Sequence, residues 1–225
     1  MASEKACIFV TGTDTGVGKT LISSALLLTY RRHYRRVVGM KPVAAGLEQR
    51  NGQWVSDDVL ALASASSIAV PAQLANPVAL IHPLSPHIAA DLERRTVTVA
   101  QLLEAQRELA TLCDFMVVEG SGGWRVPVNP TQTLADFAVA LGAPVLLVVG
   151  MRLGCLNHAL LTAEAIRRDG LKLVGWVANV VTPDMPALAE NIDTLRHRLG
   201  APLLGVVPWS DTPAPQNIHL ELPTI

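Results

Sequence analysis

Six short apolar runs punctuate the chain, at residues 7–11, 37–41, 115–119, 145–149, 173–178 and 203–207. They are rich in β-branched residues, and none alternates cleanly between apolar and polar positions. A strand with one face in solvent alternates; a parallel strand covered by helices on both faces does not. Between the runs lie stretches with helical spacing, at 19–33, 57–65, 99–112, 133–141, 156–168 and 186–199. Gly142, Gly170 and Gly200 stand where three of these helices should stop, a position that favours a left-handed residue. Strands alternating with helices predict an α/β fold: a doubly wound, mainly parallel sheet flanked by helices in three layers, α-β-α. A length of 225 residues suits a single domain over 1–225. Residues 69–87 carry four prolines and read as a structured excursion. No element is predicted for the Pro-rich tail after Pro208.

In such sheets ligands bind beyond the carboxyl ends of the strands, so the residues after each run matter most. After the first run the chain reads Gly12-Thr13-Asp14-Thr15-Gly16-Val17-Gly18-Lys19-Thr20 and then enters a predicted helix. Glycines let the backbone curl so that amide groups point at phosphate oxygens. The helix N-terminus adds partial positive charge. Lys19 can reach the β- and γ-phosphates, and the Thr20 hydroxyl can ligate Mg²⁺. The common pattern G-x-x-x-x-G-K-[ST] would need Gly at position 13; Thr13 stands there, with Gly12 one residue earlier. The strand, turn and helix around it still predict nucleotide binding in a fold of the P-loop NTPase type.

A nucleotide-bound Mg²⁺ needs further hard oxygen ligands. Glu119 closes the run at 115–119, the place of a Walker B acid. Asp57 and Asp58 follow Ser56 at a predicted helix start. The helix dipole favours carboxylates there in any case, so the residues alone leave both acids open. Gly120, Gly122 and Gly123 allow a ligand close to the backbone. Ser121 among them is not a nucleophile elbow, since G-x-S-x-G would need Gly at 119. Lys41 ends the second run, kept extended by Pro42. In a chain with 14 Arg and only four Lys, a lysine at a strand's carboxyl end suggests a point charge for a compact anion. A surface lysine with its stem on apolar neighbours also fits. Gly154-Cys155-Leu156-Asn157-His158 opens another predicted helix, whose amides can take a carboxylate or phosphate. Asn157 fits equally as that helix's N-cap. Nothing pairs Cys155 with His158 as nucleophile and base, and the six histidines show no metal-ligand spacing.

Composition removes other classes. Half the residues are hydrophobic, 16% are charged and the net charge is −1, which leaves no electrostatic footprint for nucleic acid. The longest apolar run, around 143–149, is far short of the roughly 18 residues a membrane span needs. Glu4 and Lys5 lead only into a short apolar stretch, unlike a secretory leader. Cys7, Cys113 and Cys155 suggest neither a disulfide framework nor a zinc site. A cytoplasmic protein is expected. A phosphate loop, an acid for Mg²⁺ and a second lysine point to phosphoryl transfer from ATP to an anionic acceptor. The alternative is an ATPase switch acting on a protein partner.

Together these windows resemble the dethiobiotin synthetases of biotin biosynthesis. The matching pieces run in order along the chain. They are Thr11-Gly12-Thr13-Asp14-Thr15 with Val17-Gly18-Lys19-Thr20, then Lys41-Pro42-Val43-Ala44, then Val118-Glu119-Gly120 with Gly122-Gly123-Trp124. Gly154-Cys155-Leu156-Asn157-His158-Ala159, Gly175-Trp176-Val177-Ala178-Asn179 and Pro208-Trp209 follow. The resemblance implies an ATP- and Mg²⁺-dependent cyclo-ligase. It would join CO₂ to the two amines of 7,8-diaminopelargonate and close the ureido ring of dethiobiotin, releasing ADP and phosphate. It implies nucleotide contacts from Gly12, Thr13, Gly16, Val17, Gly18, Lys19, Thr20, Leu21, Gly120, Ser121 and Gly122. Asn179, Val180, Pro208, Trp209 and Ser210 would line the adenine pocket. Thr20, Asp58 and Glu119 would hold Mg²⁺, and Lys19 and Lys41 would be catalytic. Thr15, Lys41, Ala45, Gly122, Gly154, Cys155, Leu156 and Asn157 would meet the diamine. The family resemblance also implies a homodimer, with Leu156 and Asn157 of one subunit reaching the other's site. No nucleic acid or membrane partner is implied.

The chain departs from the family's pattern at Gly16, often Glu, and at Ala45, often Ser. Pro213 and Pro215 occupy the loop where an acid is expected after Pro208. A ligase amidating a cobyrinate-type ring would carry a glutaminase domain that 225 residues cannot hold. Partitioning and metal-centre-delivery ATPases tend to carry an extra Lys early in the loop, where this chain has Thr11, Gly12 and Thr13.

Overall fold

A computed structural model describes residues 6–224; the leader reading at Glu4 and Lys5 lies outside the described residues. Six parallel strands form the central sheet: β1 (Ala6–Gly12), β2 (Val37–Met40), β7 (Phe115–Glu119), β8 (Val145–Met151), β9 (Leu173–Val180) and β10 (Leu203–Val207). Their spatial order is β10-β9-β8-β1-β7-β2, which places β1 in the interior. Both faces of the sheet are apolar, and this is why the runs do not alternate in sequence. Ile8 and Val10 pack on one side with α1 (Lys19–Tyr30) and α2 (Asp57–Ala65). Phe9 packs on the other with α5 (Val99–Leu112), α6 (Leu134–Leu141), α7 (Cys155–Arg168) and α8 (Leu188–Arg198). Among the described residues no helix is long and apolar enough to cross a membrane.

The predicted strands and long helices appear, those at 57–65, 99–112, 115–119 and 203–207 with the predicted bounds and the others with shifted ends. The first helix stops at Tyr30, not 33, where Tyr30 stacks on Phe115 at a centroid distance of 3.8 Å and the chain turns toward β2. The last helix starts at Leu188, after Ala187 at φ 52 breaks the run from Pro186. Gly142, Gly170 and Gly200 are all left-handed, at φ 68, 82 and 58. Four strands were not predicted: β3 (Val43–Ala45), β4 (Glu48–Arg50), β5 (Gln53–Val55) and β6 (Val78–Leu80). Nor were α3 (Ala72–Ala75) and α4 (Pro86–Leu92). Three-residue strands are too short to carry a period. The proline-bearing excursion holds α3, β6 and the start of α4, with β6 paired to β3. The tail is ordered too: Ile218, Leu220 and Leu222 pack against the α1 side, and the Glu221 N–H donates to Leu204 O at 2.8 Å.

Strand β2 is the sheet's edge, and two serines cap it. The Val37 N–H donates to Ser67 Oγ at 2.8 Å and the Gly39 N–H to Ser66 Oγ at 3.0 Å. Satisfying those donors with side chains closes a surface that would otherwise pair with another strand. It also fixes where β2 ends, and Lys41 is the next residue.

Candidate active site

Sheet register gathers the predicted chemistry at one end. Val10 lies opposite Glu119 across β1 and β7, and Met40 lies opposite Val118 across β2 and β7. The residues that leave β1, β2 and β7 at their carboxyl ends are therefore neighbours although up to 109 positions apart, Val10 to Glu119.

The loop from Gly12 to Thr20 is anchored on the strands around it. The Thr13 N–H donates to Val148 O at 3.0 Å. Asn179 Nδ2, arriving from β9, donates to Val17 O at 2.9 Å. Asp14 pairs with Arg152, which follows β8. Gly12 and Gly18 are dictated by space. A Cβ on Gly12 would sit 2.6 Å from Val17 Cγ2, and one on Gly18, at φ +89, would sit 2.2 Å from Asn179 Nδ2. Gly18→Ala should therefore push Asn179 off the loop and strain the backbone by about 1–2 kcal/mol. The expected result is a lower melting temperature together with weakened nucleotide binding, read by thermal denaturation and by titration with a fluorescent nucleotide. Gly16, at φ +72, has open space at its Cβ position, so the departure there is not forced by packing.

Lys41 is held by its backbone from both sides. Its N–H donates to Ala75 O at 2.8 Å, and its carbonyl accepts from Asn76 Nδ2 at 2.7 Å. The side chain is buried, and its ammonium lies 2.6 Å from Glu119 Oε1 and 2.7 Å from Asp58 Oδ2. Asp57, by contrast, points outward and pairs with Arg50 on the β4–β5 hairpin at 2.8 Å. Neighbouring residues on a helix point about 100° apart, so only one of the two acids can face the sheet. The two acids left open by sequence are thus separated by geometry.

Thr20 Oγ1 lies 2.7 Å from Asp58 Oδ1 and 2.8 Å from Glu119 Oε1. One hydroxyl proton cannot serve two carboxylate oxygens at once, so one contact is acceptor against acceptor. Glu119 Oε2 is fully buried with no hydrogen-bond partner. Three hard oxygens converging with an unpartnered fourth fit a Mg²⁺ ion whose remaining ligands come from phosphate and water. Among the described residues no three His, Cys, Asp or Glu side chains group to hold a metal; the third oxygen converging here is the Thr20 hydroxyl.

Charge is balanced here by burial against neighbours. Burial alone would lower Lys41, but Glu119 and Asp58 outweigh it and hold its pKa above the usual lysine value. Burial would raise Asp58, yet Lys41, Thr20 and Lys19 bring it below its usual value. Lys19 is pushed from 10.5 down to about 8, first by burial and then by Lys41, against the pull of Glu119, Asp58 and Asp14. Its ammonium folds back on its own loop, donating to Asp14 O at 3.0 Å.

Lys19, Thr20, Lys41, Asp58 and Glu119 thus form one cluster. Gly122 stands beside Thr15, and the Ser121 hydroxyl donates to Val43 O. Pro208, Trp209 and Ser210 leave β10 exposed, on the side where Asn179 and Val180 end β9. Ala45 lies in β3. At the Gly154–Asn157 stretch the helix start differs from the N-cap reading. Asn157 is not the N-cap: Gly154, at φ 93, takes that place and the helix begins at Cys155. The Cys155 thiol is buried in the core, and its N–H already donates to Arg152 O at 3.0 Å. Leu156 and Asn157 remain at the surface end of the helix. Arg152, which pairs with Asp14 of the loop, was not singled out from sequence, because only the fold brings the two together.

The sheet, the glycine loop and the lysine–acid cluster define a nucleotide-binding protein of the P-loop class. Solved structures share the fold. A ParA family ATPase from Chlorobium tepidum TLS superposes with a TM-score of 0.56 at 14% identity, covering 93% of this chain and 86% of that one. A chain of the MinC:MinD cell division protein complex of Aquifex aeolicus gives 0.54 at 14%, covering 92% and 82%. A family profile described as an AAA domain matches residues 6–217. ATP-dependent dethiobiotin synthetase BioD of Cellvibrio japonicus is 52% identical over 204 residues, 91% of this chain and 90% of the relative. The chain belongs to the dethiobiotin synthetase family.

Proposed function

We infer that this protein is the ATP- and Mg²⁺-dependent cyclo-ligase that makes dethiobiotin from 7,8-diaminopelargonate and CO₂. The observation that carries the reading is the Lys41–Asp58–Glu119–Thr20 cluster beside the phosphate loop, in a chain 52% identical to a dethiobiotin synthetase. One substrate amine captures CO₂ as a carbamate and releases a proton. A carbamate oxygen attacks the γ-phosphorus of ATP, and ADP leaves. The second amine then attacks the carbonyl carbon of this carbamic-phosphoric anhydride, phosphate leaves carrying the amine's proton, and the five-membered ring closes. Ring closure within one molecule has a high effective molarity, so no protein nucleophile is required.

The loop amides and Lys19 would cradle the phosphates, with Lys19 opposing charge on the transferred group. Thr20, Asp58 and Glu119 would hold Mg²⁺, which supplies charge neutralisation to the triphosphate when bound. Lys41 would bind the carbamate and the phosphate forming on it. Asn179, Val180 and the 208–210 stretch would flank the base, and Thr15, Ala45 and Gly122 the diamine. ADP release followed in a coupled assay with Mg²⁺ and bicarbonate tests the reading. Release that depends on the diamine supports it; hydrolysis indifferent to the diamine contradicts it.

A cytoplasmic homodimer is the form we propose, in which Leu156 and Asn157 meet the partner subunit's substrate. Exposed leucines support an interface near them. Leu153, just before Gly154, is 100% exposed, and Leu161, one turn beyond Asn157, is 56% exposed. Leu153→Glu should weaken the dimer by roughly 10–100-fold per buried leucine, and turnover should fall with it. Light scattering across a dilution series checks this; an unchanged dimer would place the interface elsewhere.

A further inference from the structure

Lys41 stands where a second positive charge must come. Its ammonium touches Asp58 Oδ2 at 2.7 Å and Glu119 Oε1 at 2.6 Å. Thr20 Oγ1 touches the same two carboxylates at 2.7 and 2.8 Å. Glu119 is fully buried and Lys41 nearly so. A buried carboxylate needs a counter-charge, since an isolated one is driven toward its neutral form. Here the lysine supplies it. A divalent cation bound to these oxygens would place two positive charges within a few ångströms of a third, in surroundings drier than water, where repulsion is strong. Ammonium and metal would compete for the same two carboxylates, because each repels the other across Glu119 and Asp58. The Lys41 stem is unbranched and flexible, and beyond the two carboxylates its ammonium contacts only a carbonyl among the described residues, Gly120 O at 3.4 Å.

We propose that Lys41 is an exchangeable counter-ion, neutralising Asp58 and Glu119 until a divalent metal takes its place and then passing its charge to the substrate's anionic group. This rests on the metal-site reading above. It makes metal entry the event that releases Lys41 for the carbamate, so the ammonium is not committed to substrate before the phosphates' cation is seated. It also means that the protein opposes its own metal when no nucleotide is present, because each metal bound must displace a buried ion pair.

The test is Mn²⁺ binding by electron paramagnetic resonance in the absence of nucleotide, on the full chain and on Lys41→Met, which keeps an unbranched stem of similar length and removes the charge. The variant is expected to bind Mn²⁺ at least about tenfold more tightly, equivalent to about 1.4 kcal/mol. Equal or weaker binding by a folded variant overturns the exchange. Asp58→Asn, measured with ADP present, keeps the two readings apart. If it leaves Mn²⁺ affinity unchanged, the metal-site assignment itself fails; if it weakens Mn²⁺ while Lys41→Met fails to tighten it, only the exchange fails. Should Lys41→Met not fold, the wild-type chain gives the answer. Acylation of Lys41 by acetic anhydride, read by peptide mass spectrometry, is expected to rise when Mg²⁺ is added without nucleotide. Labelling that stays flat over the concentrations at which Mg²⁺ binds overturns the proposal.

Discussion

Lys41→Met is expected to cut diamine-dependent turnover by about 10²–10³-fold, the usual loss when one preorganised charge facing the transition state is removed. ADP binding in Mg²⁺ should stay within a few-fold of wild type. The asymmetry follows from position. Lys41 leaves β2 at the sheet edge and meets Asp58 and Glu119, while the loop and Lys19, the proposed nucleotide side, follow β1. A charge on the acceptor side matters when the phosphoryl group moves and matters little to ADP. The variant should also be less stable without metal, because Glu119 is left buried without its partner, a change that commonly costs about 3–5 kcal/mol when nothing compensates. Added Mg²⁺ should recover part of the lost melting temperature. Equal losses in turnover and ADP affinity would move Lys41 into the nucleotide site.

Lys19→Ala is the second large effect. Turnover should fall by about 10²–10³-fold or more, here together with ATP affinity. Lys19 is 6% exposed, and burial with the nearby Lys41 already holds its pKa near 8. A buried ammonium that hydrogen-bonds a loop carbonyl, with no carboxylate among the described residues in direct contact, is poorly compensated, and burial outweighs the pull of Glu119, Asp58 and Asp14. On the proposed reading a triphosphate would relieve it, and the charge would be held ready at some cost to the fold. Lys19→Ala should accordingly melt no lower than wild type without nucleotide, while losing the gain in melting temperature that nucleotide confers. Differential scanning fluorimetry with and without ATP checks both halves. Retained activity would mean that another cation meets the transferred phosphate.

The central sheet was readable because burial on both faces leaves a plain signal: Ile8, Phe9 and Val10 are all buried, on alternating sides. Loop chemistry was equally plain, since Gly12 and Gly18 stand where no Cβ fits. What sequence could not supply was partnership across distance. The choice between Asp57 and Asp58 depends on how α2 is turned toward Thr20 and Lys41, and Arg50, which pairs with Asp57, sits on a hairpin of three-residue strands with no period to detect. Arg152 matters to the loop only because β8 lies beside β1, 138 positions after Asp14. Asn157 was a reasonable cap by residue type, but a left-handed glycine three positions earlier starts the helix sooner. The tail offered prolines and no pattern, and its order comes from three apolar side chains meeting the α1 face.

The most direct measurement is carbon fixation counted against nucleotide use. Purified protein is incubated with ATP, Mg²⁺, labelled bicarbonate and 7,8-diaminopelargonate, and acid-stable label is compared with ADP. One labelled carbon fixed per ADP, absent without the diamine, is the result that ring closure through a phosphorylated carbamate predicts. ADP formed with no acid-stable label would contradict it, leaving an ATPase whose output lies elsewhere.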